Sequence, residues 1–297
     1  MTVQFQGVMP AITTPFNADL SIDHAAAAAN VRWLVESGCT GIVPCGSLGE
    51  SATLSFDEKL ALIETCARAV DAPVIPGIAA LSTAEAVALA KQAKLAGAKG
   101  LMVLPPYVYS TDWREMKAHV AAVIEATDLP CIVYNNPVAY RTDFSPEQIL
   151  ELAREHSNVK AVKESSTDVR RITAIKALAG DQLALGVGVD DVLVEGVAAG
   201  AQFWIAGLVD ALPVESVRLF ELARAGRWEE AARLYAWFLP LLRLDTVPKF
   251  VQLIKLVQEK VGAGHRRVRP PRLELAGTEL EQAERLIAHA LATRPAL

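Results

Sequence analysis

Short apolar runs recur along the chain at a steady pitch: Val8–Ile12, Gly41–Pro44, Val74–Pro76, Gly100–Leu104, Cys131–Tyr134, Val159–Val162, Leu183–Leu185 and Phe203–Ile205. Each is too short for a helix and is rich in Val, Ile or Leu without regular polar alternation. That pattern predicts strands buried on both faces, as in a parallel sheet. The segments between them are amphipathic and carry helix-start signals. Ser55-x-x-Glu58, Ser82-x-x-Glu85 and Ser145-x-x-Gln148 read as capping boxes, and Pro146 sits at a first helical position where a missing N–H costs nothing. Gly38, Gly97 and Gly180 read as helix stops.

Eight strands about 20–33 residues apart, with helices between, predict an α/β fold of the (β/α)8 TIM-barrel type. An open doubly wound sheet is the alternative. It calls for a Gly-rich dinucleotide turn after the first strand, and Ala11-Ile12-Thr13-Thr14-Pro15 is unlike one. After Pro213 the strand signal ends, and Leu212–Ala225, Trp228–Leu244, Val247–Val261 and Glu279–Thr293 read as helices. The expected organisation is a barrel over residues 1–212 and a C-terminal helical extension over 213–297, with no Gly/Ser-rich linker between them.

Composition narrows the function. The 297 residues are 52% hydrophobic and 21% charged, enough apolar material for a full core, which excludes disorder as the main state. A net charge of −5 argues against a nucleic-acid partner. The basic run His265-Arg266-Arg267-Val268-Arg269 is short and reads as a solvated or subunit-contact loop. The longest stretch without Asp, Glu, Lys or Arg, Met1–Ala18, is too polar to span a membrane. The first Arg is Arg32 and the first Lys is Lys59, so no secretory signal is visible and a cytoplasmic protein is expected. Cys39, Cys45, Cys66 and Cys131 form no Cys-x-x-Cys pair and read as buried small hydrophobes. His24, His119, His156, His265 and His289 lie away from the strand ends, so no metal site is expected.

In a barrel of this kind chemistry sits at the C-terminal ends of strands. Lys163 stands at such an end, where alternation turns it to the same side as Ala161. Partial desolvation there frees the neutral amine as a nucleophile; the plainer reading is a Lys snorkelling out or pairing with Glu164. Tyr134, at the end of the preceding strand, is either a general acid/base facing the same pocket or a core aromatic. Ser47 lies in the turn Cys45-Gly46-Ser47-Leu48-Gly49-Glu50, whose N–H groups and hydroxyl suit a carboxylate; the plainer reading is turn geometry alone.

Gly46-Ser47-Leu48-Gly49-Glu50, Tyr134-Asn135-Asn136-Pro137, Lys163-Glu164-Ser165-Ser166 and Gly188-Val189-Asp190 occur in one family's order. The chain resembles the dihydrodipicolinate synthase/N-acetylneuraminate lyase family of class I aldolases, from Gly7 through the helical C-terminus. The resemblance implies a (β/α)8 barrel with a helical extension, commonly a homotetramer. It also implies a lysine imine with a 2-oxo acid and no metal or redox cofactor. Lys163 matches the imine-forming lysine and Tyr134 the proton-shuttling tyrosine. Ser47 and the N–H of Leu48 match the carboxylate turn, Ile205 an apolar neighbour of the bound acid, and Gly188 a backbone contact.

Departures narrow the chemistry further. Members that make dihydrodipicolinate carry Thr-Thr where this chain has Ser47-Leu48, and a second tyrosine where it has Val108, flanked by Tyr107 and Tyr109. Their substrate-binding Arg follows the tyrosine motif more closely than Arg141 does. The run Tyr134 to Asp143, with Trp237 to Leu242 and Arg266 to Leu273, is similar to 1-pyrroline-4-hydroxy-2-carboxylate deaminases of hydroxyproline breakdown. This implies a 2-oxo acid or cyclic imine as substrate, with Arg141 or Asn136 contacting its distal hydroxyl. Sister branches dehydrate 2-oxo-3-deoxy sugar acids. A non-catalytic barrel that binds a small acid is the alternative of another class, but it has no need of an imine-forming lysine.

Overall fold

A computed structural model describes residues 3–106 and 112–296. Seven strands form one sheet: β1 (Gly7–Pro10), β2 (Gly77–Ile78), β3 (Leu101–Val103), β4 (Cys131–Asn135), β5 (Val159–Glu164), β6 (Ala184–Val187) and β7 (Phe203–Ala206). Their order is β1-β7-β6-β5-β4-β3-β2, and every ladder is parallel. From β2 to β7 each strand pairs with its successor in sequence. Helices such as Trp113–Glu125, Pro146–Glu155 and Arg170–Ala179 supply the crossovers.

The expected eighth strand, Gly41–Pro44, is not one. It is a segment joined to both ends of the sheet by isolated parallel bridges, Val43 to Ala11 and Ile42 to Val74. Val43 donates its N–H to the Pro10 carbonyl (2.9 Å), and Gly77 donates to that of Pro44 (2.9 Å). Prolines explain the broken ladder. Pro10, Pro44 and Pro73 have no N–H to give, so the ladders stop after the Val43 and Ile12 amides on one side and the Ile42, Ile75 and Gly77 amides on the other. Pro76 likewise lacks an N–H, and the third expected strand moves from Val74–Pro76 to Gly77–Ile78. The sheet therefore curls until its two ends bond one short segment.

Alternation along the strands divides the core. Cys131, Val133 and Val162 pack with the helices in an outer layer. Ile132, Tyr134, Ala161, Phe203 and Ile205 belong to a second cluster, drawn from strands and strand ends, that fills the inside of the curl. Phe203 crosses that interior. A Cβ on Gly186 would sit 2.2 Å from its ring, so β6 must carry glycine there.

Local signals behave as their chemistry dictates. Ser55 and Ser145 close full capping boxes, while Ser82 accepts from the Glu85 N–H without the return bond. Gly38 and Gly97, both at φ +102°, follow helix ends. Pro213–Arg224 packs on β1, and Trp228–Leu242 packs on it and on Gly277–Ala292. The helices expected over Trp228–Leu244 and Val247–Val261 are shorter: one ends at Leu242 and the other starts at Phe250. Between them the chain turns at Arg243–Asp245 and crosses the open end of the sheet.

The basic run is not a solvated loop. Arg266 pairs with Glu274, Arg267 donates to the Phe16 carbonyl, and Arg269 forks onto Glu58 with two bonds of 2.8 Å. These cations clamp the C-terminal segment to the body of the protein. No helix among the described residues is long and apolar enough to cross a membrane.

Replacing Gly186 by Ala forces Phe203 or the strand to move. Urea unfolding of Gly186→Ala is expected to show a loss of about 1–3 kcal/mol; unchanged stability means that Phe203 yields without cost.

Candidate active site

At the C-terminal ends of the strands the sheet opens into a cavity of about 500 Å³. Its polar side chains come from elements far apart in sequence. β4 and β5 contribute Tyr134 and Lys163, which are register partners. The turn after segment 41–44 contributes Ser47 and Leu48, and the loops after β4, β5 and β6 contribute Asn136, Ser165 and Gly188. Ile205 lines the floor, and Asp245, Thr246 and Arg272 reach over from the C-terminal region.

Lys163 is buried, and burial pulls its pKa down from 10.5 to about 8; the charges of Asp245 and Asp190 oppose that pull. About a tenth of the amine is therefore neutral at pH 7, some hundreds of times more than for an ordinary lysine. Its Nζ lies 4.2 Å from the centre of the Tyr134 ring. Gly188 is what lets the side chain pass: a Cβ there would stand 2.5 Å from Lys163 Cε and 2.0 Å from Ser165 Oγ.

Tyr134 accepts a hydrogen bond from Asn136 Nδ2 at 3.0 Å. Burial raises its phenol above the ordinary value, and the Asn136 bond works against that. Asn136 is fixed in turn, because its Oδ1 caps Pro137–Tyr140 by accepting from the Ala139 N–H. That short helix delivers Tyr140, whose hydroxyl bonds the Ser47 hydroxyl and whose ring meets Tyr134 edge-on at 5.8 Å. Burial also pushes the Tyr140 phenol well up.

The Ser47 turn is held from beneath. Cys45 and Glu50 adopt left-handed backbone conformations (φ +59° and +56°), and a Cβ on Gly49 would stand 2.9 Å from the Ile12 carbonyl oxygen. The amides of Ser47 and Leu48 donate to no other described residue, which leaves two N–H groups beside a hydroxyl for an anion. Glu50 points the other way, into a buried pair with Lys255 at 2.6 Å. The other two protons of Lys255 go to the carbonyls of Thr14 (2.8 Å) and Arg267 (2.7 Å), so the ammonium is fully satisfied.

Arg141 does not join this group. It follows the short helix at φ +61°, is exposed, and is absent from the described lining. The left-handed turn that ends Pro137–Tyr140 carries it away, and the guanidinium that lines the cavity is that of Arg272. Tyr107, Val108 and Tyr109 lie outside the described residues. Three groups escape a reading of strand ends. Asp190 accepts from Trp204 Nε1 (3.0 Å) and from the Gly207 and Leu208 amides (3.1 and 2.9 Å), and burial lifts it to about 6. Asp245 and Arg272 belong to the C-terminal region; no local motif marks Asp245, and the run Arg266 to Leu273 gives Arg272 no role of its own. Among the described residues no three His, Cys, Asp or Glu side chains are grouped to hold a metal ion.

Comparison with known proteins agrees with this geometry. The model of the dihydrodipicolinate synthetase family matches residues 4–290. The chain belongs to that family. It is 34% identical to the 4-hydroxy-tetrahydrodipicolinate synthase of Agrobacterium fabrum, over 90% of this chain and 92% of that protein. It is 33% identical to the enzyme of the same name from Methanoculleus marisnigri, over 96% and 99%. Among solved structures, a dihydrodipicolinate synthase of Acinetobacter baumannii in complex with pyruvate is 28% identical, with a TM-score of 0.90 over 97% of this chain and 99% of that one. Family members are class I aldolase-type lyases that work through a lysine Schiff base, and this chain is an enzyme of that type.

Two measurements probe the site. Trapping of a 2-oxo acid by borohydride is expected to quicken tenfold per pH unit up to about pH 8 and then level off, following the neutral amine; a profile still rising at pH 10 means an ordinary lysine. Lys255→Met leaves buried Glu50 without its nearer cation and with only Arg272 at 3.8 Å. It is expected to cost about 3–5 kcal/mol in urea unfolding and to raise the KM for a carboxylate substrate, because the Ser47 turn loses its support.

Proposed function

We propose that Lys163 is the lysine that forms the imine, Tyr134 its proton carrier, and the Ser47–Leu48 turn the seat of the substrate carboxylate. The observation that carries this reading is the register pairing of Lys163 with Tyr134 in a closed cavity where the amine is held near pKa 8. Gly188 and Ile205 shape the floor, and Asn136 orients Tyr134. Segment 41–44 serves as the eighth stave of the barrel, and residues 213–297 as an extension that covers its mouth. The working assembly is a homo-oligomer, a tetramer by resemblance.

The substrate we propose is 1-pyrroline-4-hydroxy-2-carboxylate, converted with one water to 2-oxoglutarate semialdehyde and ammonia. The carboxylate docks on the Ser47 and Leu48 amides, and the Lys163 lone pair adds to C2 of the ring. The C2–N bond of the ring breaks as its nitrogen takes the Tyr134 proton, leaving a phenolate beside a protonated Schiff base on Lys163 that acidifies C3. Tyr134 takes the C3 proton as the C4 hydroxyl departs as water; the new C3=C4 double bond shifts to a C5 imine, one water hydrolyses that imine to the aldehyde and ammonia, and a second releases the product from Lys163. Support comes from the residues: Leu48 and Val108 replace two hydroxyl-bearing groups of the dihydrodipicolinate makers, and Ala139 and Tyr140 stand where their arginine is expected. The second reading, condensation of pyruvate with aspartate semialdehyde, is favoured by the names of the relatives quoted above.

One assay panel separates these: the pyrroline, pyruvate with aspartate semialdehyde, N-acetylneuraminate, and 2-oxo-3-deoxy sugar acids. Turnover of the pyrroline is expected; efficient aldol condensation with no pyrroline turnover replaces the deaminase by the second reading. Borohydride with pyruvate is expected to leave a mass adduct on Lys163, and Lys163→Ala to abolish it along with turnover. Tyr134→Phe is expected to slow turnover roughly 10²–10⁴-fold. No adduct on Lys163 with any 2-oxo acid overturns the site assignment.

A further inference from the structure

Loss of a hydroxyl needs an acid strong enough to protonate the departing oxygen, and the cavity offers few. The phenols of Tyr134 and Tyr140 are pushed above their ordinary value by burial, and Ser47, Ser165, Thr167 and Thr246 are alcohols. Asp245 supplies the only carboxyl among the described lining residues. Its Oδ1 is shut off from solvent, has no hydrogen-bond partner among the described residues, and packs against Gly207, where a Cβ would meet it at 2.1 Å.

Resting on the elimination reading above, we infer that Asp245 is the acid that hands a proton to the C4 hydroxyl as it leaves. Hydrogen-bond accounting shows why the proton resides there. Asp190 and Asp210 share the electrostatic neighbourhood of Asp245, and the charge of Lys163 acts on both Asp190 and Asp245. Asp190 is stabilised as an anion by three N–H donors, and Asp210 accepts from the Thr13 amide at 2.9 Å. Among the described residues no donor reaches Asp245, so it is the carboxyl best left neutral. Burial raises its pKa well above the ordinary value; the charges of Asp190, Asp210 and Asp191 add to this, and Lys163 opposes it.

The step is a β-elimination that neither oxidises nor reduces. The C3–H electron pair becomes the C3=C4 bond, and its proton passes to Tyr134. The C4–O pair leaves with oxygen, which takes the Asp245 proton and departs as water. Solvent then reprotonates the carboxylate. Aldol cleavage, by contrast, takes the proton from the C4 hydroxyl and keeps its oxygen as a carbonyl, so it needs no acid there.

Asp245→Asn tests this, with any 4-hydroxy substrate that the wild type accepts. Lys163 adduct formation with pyruvate, and exchange of the pyruvate methyl protons in D₂O, are expected to stay within about threefold of wild type. These also show that the variant is folded. Turnover is expected to fall roughly 10²–10⁴-fold, and Asp245→Glu to recover part of it. Near-wild-type turnover of Asp245→Asn overturns the inference. So does loss of adduct, exchange and turnover in equal proportion, which makes Asp245 a counter-ion of Lys163. Wild-type enzyme that forms the adduct but eliminates from neither the pyrroline nor the sugar acids refutes the elimination reading itself, and this inference with it, before any variant is measured.

Discussion

The open end of the sheet is organised around one amine kept out of water. An ammonium in such a place is unfavourable unless charge or hydrogen bonds compensate it. Lys163 receives only partial compensation, in which Asp190 is the carboxylate held ionised by three N–H donors, and its pKa settles near 8. Between that value and 10.5 the unfolded chain binds more protons than the folded one. Stability at neutral pH is therefore lower by about 3 kcal/mol than with an unperturbed lysine, and it is regained as pH rises through that interval. The protein carries this cost because a neutral amine is the nucleophile that imine chemistry requires.

A second buried cation is handled in the opposite way. Lys255 meets Glu50 and two carbonyls, so all three of its protons are used. Burial still lowers its pKa, but Glu50 works against that. Lys163 is left short of partners and reactive, whereas Lys255 is saturated and inert. The Lys255 pair also links the helix Phe250–Val261 to the turn that bears Ser47. The C-terminal helices thus brace the Ser47 end of the cavity as well as contributing Asp245 to its lining.

Much of this was legible in the residues. Buried parallel strands announce themselves as short apolar runs, and β4 to β7 lie within two residues of where those runs end. Lys163 and Tyr134 stood out because a polar residue closing an apolar run must face either solvent or a site. Segment 41–44 was expected as a full strand because apolar content signals burial, while strand ladders need N–H donors that Pro10, Pro44 and Pro73 lack. Arg141 was misplaced for a related reason: spacing along the chain cannot show that a left-handed residue turns the side chain away.

By itself, then, the sequence determined the alternation of strand and helix, the two faces of each strand, and which polar residues close the strand ends. These are consequences of local periodicity and of single residue types. Only the tertiary structure decided what meets at the cavity. Asp245, Arg272 and Lys255 lie 80 or more residues from Lys163, and nothing in their own neighbourhood assigns them a role. Their roles come from the curl of the sheet and the return of the C-terminal segment across its open end. The pKa of a buried group is likewise set by the charges and donors folded around it, a property of the assembled site rather than of any stretch of chain.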